Sequence, residues 1–185
     1  MGSILLTKEC LLSKIQQRNF GIKKKDYENM LSKFLNVNNF IWLHKGIKGD
    51  DTHGHIDDIC RFVSPDTIMT AVENNKKDVN YKILQTNLNI LKKAKNINGK
   101  NFNLIKIPMP KAIFINKIRV PASYLNFLIC NKSVLLPLFN DKNDKVVIKI
   151  FKKFFKTRKI IGIDCTNLIW GFGAIHCMTQ SEPSV

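Results

Sequence analysis

The fold of this chain is decided by the stretch ICRFVSPDTIMTAV, which occupies positions 59 to 72. Two β-branched apolar runs, Ile59 to Val63 and Thr67 to Val72, predict two strands joined by a turn at Ser64-Pro65-Asp66. Beyond them, a leucine-rich helical period predicts a helix from roughly Tyr81 to Ala94, and another apolar run predicts a strand from Phe102 to Ile107. The segment therefore predicts a unit with the order strand, strand, helix, strand.

Related elements are expected on the N-terminal side of this unit. Ile4 to Leu6 and Phe40 to Leu43 read as strands, and Lys24 to Leu35 reads as a helix between them. The apolar positions of that helix recur with helical spacing, which predicts one buried stripe. The stripe consists of Tyr27, Met30, Leu31, Phe34 and Leu35.

A third set of elements is expected on the C-terminal side. Tyr124 to Ile129 and Val134 to Leu138 predict a hairpin or closely linked pair of strands, and Ile160 to Ile163 predicts a final strand. Between them Asp141 or Asp144 is expected to cap a helix. The inner face of this helix should carry Val147, Ile150, Phe151 and Phe154. The order of elements predicts a mixed α/β fold built from repeated units, in a single domain that spans residues 1–185.

Positive charge is the strongest compositional feature. The 185 residues include 30 Lys and Arg against 14 Asp and Glu, which gives a net charge of +16. Such a field favours nucleic acid, anionic membranes or acidic partners. However, the cations are dispersed lysines with few arginines and no recognised nucleic-acid motif. A solvated lysine-rich surface is therefore the favoured interpretation, and nucleic-acid binding is the alternative.

The cysteines and the N-terminal residues indicate the cellular compartment of the protein. The five cysteines contain no C-x-x-C pair, which fits a reducing compartment. The N-terminal residues lack the basic region of a secretory signal, and no apolar run approaches the roughly 20 residues that span a bilayer. We therefore expect a cytoplasmic protein that does not insert into a membrane.

The segment GDDTHGHIDD, positions 49 to 58, offers a base and a carboxylate two residues apart. In an extended segment His55 and Asp57 would project from one face into one pocket, while Ile56 packs inward. The alternative is a surface histidine beside aspartates that solvate a turn. A second alternative is a metal site with His53, His55 and Cys60 as ligands.

The segment WGFGAIHCMTQ, positions 170 to 180, places Cys177 behind Gly171 and Gly173, which permit a tight and exposed approach. On a strand His176 would face away from Cys177, so His55 is the better candidate base for a nucleophilic thiol. The alternative is that Cys177 is a small buried apolar residue. Structural roles are expected for the other cysteines, which are Cys10, Cys60, Cys130 and Cys165.

Four segments in this order carry a resemblance that spans nearly the whole chain: IWLHKGIKGDDTHGHIDD at 41 to 58, RFV at 61 to 63, PASYLNF at 121 to 127 and the segment from Trp170 to Gln180. With these segments the chain resembles the agmatine deiminase family of the pentein superfamily, to which the peptidyl-arginine deiminases also belong. Two departures are His53, where that family usually has Asp, and Phe172, where a glycine is common.

The resemblance implies a pentein fold, a propeller-like α/β ring of ββαβ modules with the active site on its axis. Met1 would correspond to a point well inside the family chain, so the N-terminal half and its R-D-x-G-P and E-G-G segments are absent. The chain would then form an incomplete ring of roughly three of five modules with exposed strand edges. The implied partners are a complementing N-terminal half or a second copy of the chain, and whether Met1 is the true start is left open.

The resemblance also implies hydrolysis of agmatine to N-carbamoylputrescine and ammonia without a cofactor or metal. Cys177 would be the nucleophile, and His55 would transfer protons. Asp57 would hold the guanidinium group, with Asp51 and Gly173 also at the substrate. Because the absent segments carry further carboxylates, we expect turnover only when they are supplied. A related deiminase acting on peptidyl-arginine, and a non-catalytic remnant, stay open as alternatives.

Overall fold

The computed structural model describes residues 2–15, 18–51 and 53–182, so Met1 lies outside the described residues. The strands within them are β1 Gly2–Thr7, β2 Val37–Leu43, β3 Cys60–Ser64, β4 Thr67–Val72, β5 Asn103–Pro108, β6 Ile113–Ile115, β7 Ile118–Val120, β8 Leu128–Ile129, β9 Ser133–Leu138 and β10 Lys159–Asp164. The α-helices are α1 Lys8–Leu12, α2 Lys24–Leu35, α3 Asn80–Lys93 and α4 Lys142–Phe154. No described helix has the length and apolar character needed to cross a membrane.

Two of the small sheets repeat one topology. In the middle unit β3 pairs antiparallel with β4, and β4 pairs parallel with β5 after the chain has passed through α3. In the last unit β8 pairs antiparallel with β9, and β9 pairs parallel with β10 after α4. Parallel neighbours need such a crossover, because a tight turn cannot join strands that run in the same direction. The predicted strand, strand, helix, strand order is confirmed in both units.

The first unit contains the later part of the same pattern. β1 and β2 pair in parallel, with Ile4 opposite Phe40 and Leu6 opposite Trp42, and α1 and α2 connect them. Among the described residues β1 has no second neighbouring strand, so this sheet has two strands where the other two units have three. The fold is therefore a mixed α/β arrangement of several small sheets.

A hydrophobic core runs through all three units. Phe127, before β8, packs edge-on against Phe151 of α4 with ring centroids 4.9 Å apart. Of the two predicted alternatives, Asp141 is the N-cap of α4, since its side chain accepts a hydrogen bond from the Asn143 amide, and Asp144 inside the helix completes a capping box by accepting one from the Asp141 amide. The predicted inner face of α4 is also confirmed, because its four apolar side chains are buried or packed against the core.

The predicted burial of the α2 stripe is wrong for most of its length. Tyr27 is 3% exposed, but Phe34 is 74% and Leu35 is 55% exposed. The helix has the predicted bounds, since apolar residues at helical spacing favour an amphipathic helix wherever it lies. Periodicity does not reveal whether a partner covers the apolar face, and within the described residues only one end of the stripe packs inward.

The predicted strand from Tyr124 to Ile129 is also shorter than expected, because only Leu128–Ile129 pair with β9. The guanidinium group of Arg61 donates to the backbone carbonyls of Leu125 and Phe127 at 3.4 and 2.8 Å. These two carbonyls are therefore bound by a side chain, while the pairing with β9 is limited to Leu128–Ile129. The side chain of Arg61 thus fixes an irregular segment beside β3.

Candidate active site

The loop that leads to His55 is held by close backbone contacts. A Cβ atom on Gly46 would lie 2.3 Å from the Cα atom of Gly54, so the two glycines pack backbone against backbone. Glu9 accepts a hydrogen bond from the Gly46 amide at 2.9 Å. Asp50 accepts hydrogen bonds from the amides of Gly54 and His55 at 2.8 and 2.6 Å. These contacts fix the position of His55 at the end of the loop.

The segment after His55 is a turn and not the extended stretch that the sequence predicted. Ile56–Asp58 forms a 3₁₀ turn with His55 as its N-cap, so His55 and Asp57 do not project side by side as on a strand. Asp57 and Asp58 are both buried. Buried carboxylates need hydrogen-bond partners. Asp57 finds one in His176, 119 residues further along the chain, which a local pattern could not show.

His55 contacts residues near the start of the chain. Its Nε2 atom lies 2.7 Å from Nη2 of Arg18, and its ring shares a hydrogen bond with the Cys10 thiol. That hydrogen bond is the largest cause that raises the pKa of His55, and the charges of Asp50 and Asp57 raise it further. The sequence predicts a structural role for Cys10, but the structure places Cys10 beside the candidate imidazole.

Cys177 lies in another 3₁₀ turn, His176–Met178, so the premise that His176 and Cys177 occupy a strand is wrong. Nδ1 of His176 lies 2.7 Å from Oδ2 of Asp57, which places the ring against the carboxylate. The approach to the turn bends at Phe172, whose φ of 61° is in the left-handed region that favours glycine. This geometry explains why a glycine suits position 172.

Asn126, which no local sequence pattern marks as a site residue, joins the turn of Asp57 to the loop of Cys177. Its side-chain nitrogen donates to Oδ2 of Asp57 at 3.0 Å and to Sγ of Cys177 at 3.0 Å. Its side-chain oxygen accepts hydrogen bonds from the amides of Ala174 and Cys177 at 3.1 and 3.2 Å. The signal was present in the sequence, because Asn126 lies in the PASYLNF segment that supported the family resemblance.

The Cys177 thiol and the Asp57 carboxylate meet directly, with Sγ 3.4 Å from Oδ2. Burial and then the charge of Asp57 raise the pKa of Cys177 to about 12, so the thiol is protonated at neutral pH. Burial also raises the pKa of Asp57, but the hydrogen bond and charge of His176 outweigh it and lower the net value. Burial and the charge of Asp57 raise the pKa of Asp58 well above its usual range. The ionised carboxylate of Asp57 therefore lies beside the protonated thiol of Cys177.

Gly173, expected at the substrate, has a steric role beside the thiol. A Cβ atom at position 173 would lie 2.5 Å from Cβ and 3.0 Å from Sγ of Cys177. Asp51 is exposed and lines a neighbouring cleft of about 670 Å³ together with Glu9 and Phe172. A cleft of this size can hold a small ligand. The contact of Asp51 with a substrate stays a prediction.

Gly173→Ala is expected to slow alkylation of Cys177 by iodoacetamide about tenfold, because the added methyl group must displace the thiol from its position. Gly171→Ala is the matched control, since a Cβ atom there meets nothing within 4 Å. Peptide mass mapping gives the rate at Cys177 in each variant. Equal rates in the two variants would show that Gly173 does not set the position of the sulfur.

The metal alternative is not supported by the geometry. Cys60 is 1% exposed, and burial raises the pKa of its thiol far above the usual range. The ring of His53 lies against the backbone carbonyl of Asp51 at 2.7 Å. In the part of the chain that the structure describes, no group of three or more His, Cys, Asp or Glu side chains could hold a metal ion.

Comparison with known proteins gives consistent matches over the whole chain. The sequence model of the Porphyromonas-type peptidyl-arginine deiminase family matches residues 1–183. A Legionella pneumophila (strain Paris) protein that carries the name agmatine deiminase as a provisional assignment is 36% identical over 183 residues, which are 98% of this chain and 52% of the relative. The chain thus spans about half the length of the curated relatives it matches.

Solved structures of agmatine deiminases are also similar to this chain over nearly all of its length. A C. jejuni agmatine deiminase, a cysteine-to-serine variant with substrate bound, superimposes with a TM-score of 0.86 at 33% identity, covering 95% of this chain and 50% of that one. The agmatine deiminase of Enterococcus faecalis superimposes with a TM-score of 0.91 at 30% identity, covering 98% and 54%.

Proposed function

Because this chain belongs to the Porphyromonas-type peptidyl-arginine deiminase family, we propose that it carries the thiol-bearing part of a site that hydrolyses agmatine to N-carbamoylputrescine and ammonia. The observation that carries the proposal is the contact between Cys177 and Asp57, which are 120 residues apart in sequence. The agmatine deiminases among the relatives and solved structures favour agmatine over peptidyl-arginine as the substrate. The product would supply putrescine formation.

The charge of the cluster suits a cationic substrate. Asp57 is ionised and would accept charge-assisted hydrogen bonds from a guanidinium group. The same carboxylate raises the pKa of the Cys177 thiol. A guanidinium group bound beside both of them would offset the charge of Asp57 and favour the thiolate. The substrate thereby helps to generate its own nucleophile.

The proposed reaction proceeds in two stages. The Cys177 thiol gives its proton to water as the cation binds, its thiolate attacks the guanidinium carbon, and the bond from that carbon to one terminal nitrogen breaks as ammonia leaves. His55, whose raised pKa favours the protonated ring, gives the proton to the departing nitrogen. Water then attacks the amidino-cysteine, His55 takes a proton from it, and the thiolate leaves. His176 orients Asp57 in this scheme through their 2.7 Å contact.

Further carboxylates are proposed to come from the part of the relatives that this chain does not match. Cys177 is an exposed residue whose thiol is only partly shielded from water in the described part of the chain, which fits a site covered by additional elements. We propose that the three units belong to a propeller-like ring of such units and that the complete protein acts in the cytoplasm, where free thiols persist. A complementing polypeptide or a second copy would be the partner, and the comparisons do not favour a nucleic-acid-binding role.

The test is product analysis with agmatine, arginine and an arginyl peptide as substrates. Each is incubated with the chain alone and with the chain mixed with the N-terminal half of a relative. The proposal expects ammonia and N-carbamoylputrescine in equal amounts from agmatine, at least in the mixture, and much slower reaction of the other two substrates. Absence of agmatine-dependent ammonia in both arms would refute it.

A further inference from the structure

The buried side-chain amide of Asn126 makes several hydrogen bonds to the groups around the thiol. Its side chain is 1% exposed, so it exchanges its contacts with water for contacts within the protein. A buried amide must satisfy both its oxygen and its nitrogen. Asn126 satisfies both with groups of the candidate site.

The oxygen end of this amide holds the loop that carries the sulfur. Oδ1 accepts the amide hydrogens of Ala174 and Cys177, and the backbone carbonyl of Asn126 accepts the amide hydrogen of His176 at 3.0 Å. These three attachments therefore fix the backbone that leads up to the thiol. A loop held in this way keeps the sulfur in one position relative to the turn of Asp57.

The nitrogen end faces acceptors only. Nδ2 lies 3.0 Å from Oδ2 of Asp57, 3.2 Å from Oδ1 of Asp58 and 3.0 Å from Sγ of Cys177. Because the oxygen end faces backbone donors and the nitrogen end faces acceptors, the amide has one orientation. A donor 3.0 Å from sulfur stabilises the thiolate more than the thiol, since hydrogen bonds to a charged group are stronger.

We propose that Asn126 is a positioning residue of the deiminase site, which holds the Cys177 loop through its amide oxygen and stabilises the Cys177 thiolate through its amide nitrogen. This inference rests on the proposed function for its catalytic meaning. The charged and titratable groups around the sulfur are Asp57 and Asp58 on the 3₁₀ turn, Arg61 on β3 and the adjacent His176. Asn126 supplies a neutral donor that works against the two acidic groups.

The test measures the rate of Cys177 alkylation by iodoacetamide as a function of pH, with peptide mass mapping to separate Cys177 from the other cysteines. Asn126→Asp keeps an acceptor for the two loop amides but loses the donor to sulfur. Asn126→Leu removes the donor without adding a charge. We expect both variants to move the pH midpoint upward and to react about tenfold more slowly at mildly alkaline pH, the order expected for one hydrogen bond to a charged group.

Asn87→Leu is the matched control. Asn87 is equally buried and also links backbone groups, since it accepts from the His44 amide and donates to the Lys45 carbonyl, but it does not touch the thiol cluster. Its alkylation profile should equal that of the wild type. An unchanged midpoint in Asn126→Asp, or a shift in that variant alone while a folded Asn126→Leu is unchanged, would overturn the proposal.

Folding is monitored by thermal melting of each variant. If Asn126→Leu unfolds, Asn126→Asp alone decides the outcome. Unfolding of both Asn126 variants while Asn87→Leu folds would also overturn the proposal, because Asn126 would then be required for the fold itself. Alkylation needs no guanidine substrate, so failure of this inference is distinguishable from failure of agmatine hydrolysis.

Discussion

Cys177→Ala is expected to abolish release of ammonia from agmatine, with a loss of about 10⁴-fold or more, the order seen when a covalent nucleophile is removed. The reason is that no other group can form the bond to the guanidinium carbon in the proposed reaction. Ammonia and N-carbamoylputrescine are both measured, in the complemented protein. The thermal midpoint should change little, because Cys177 is exposed.

Cys130→Ala is the matched control for this prediction. Cys130 is also a free cysteine and is partly exposed, and it lies beside β8 away from the cluster. Its replacement should leave the rate of ammonia release within a factor of about two, as is usual for substitutions outside a site. Residual turnover in Cys177→Ala close to that of Cys130→Ala would show that the thiol is not the nucleophile.

Asp57→Asn is expected to have opposite effects on two reactions of the same thiol. Turnover of agmatine should fall by about 10²-fold or more, because one carboxylate that pairs with the cation is lost. Alkylation of Cys177 by neutral iodoacetamide should become about tenfold faster at mildly alkaline pH, because a nearby negative charge no longer opposes the thiolate. Asp57 raises the pKa of Cys177, so replacing Asp57 with Asn lowers that pKa. The fraction of Cys177 present as thiolate therefore increases at any pH below the pKa.

The control for this pair of measurements is Asp66→Asn. Asp66 is an exposed carboxylate in the turn between β3 and β4, where it contacts Ser64 and Thr67 and no group of the cluster. Both rates should match those of the wild type. If Asp57→Asn slowed both turnover and alkylation, the carboxylate would act on the structure of the site and not on its charge.

The order of the helices and strands could be predicted from local sequence patterns. Which of their faces are buried could not. The cap of α4 could be predicted from the sequence, because Asp141 and Asp144 act within one helical turn. The exposure of Phe34 on α2 could not be predicted from the sequence, because burial depends on what packs against the helix. Apolar spacing specifies the face of a helix and leaves its partner open.

The residues of the candidate site could also be predicted only in part. His55, Asp57 and Cys177 were chosen from short segments and from a resemblance, and the structure brings Asp57 and Cys177 into contact. The extended geometry expected for His55 and Asp57 is wrong, because Ile56–Asp58 forms a 3₁₀ turn, in which Asp57 contacts His176 of a distant segment. Asn126 was missed for the same reason: an asparagine in a loop gains its meaning only from the groups that folding places around it.

The most direct test of the central claim is covalent labelling of this chain by 2-chloroacetamidine, a cationic reagent, compared with 2-chloroacetamide, a neutral reagent that has the same leaving group. The account predicts that the amidine labels Cys177 in preference to the other four cysteines, that agmatine slows this labelling, and that Asp57→Asn removes the preference for the cationic reagent. Labelling that is slower than with the neutral reagent, or that agmatine does not affect, would contradict the claim that Cys177 and Asp57 form one site for a guanidinium group.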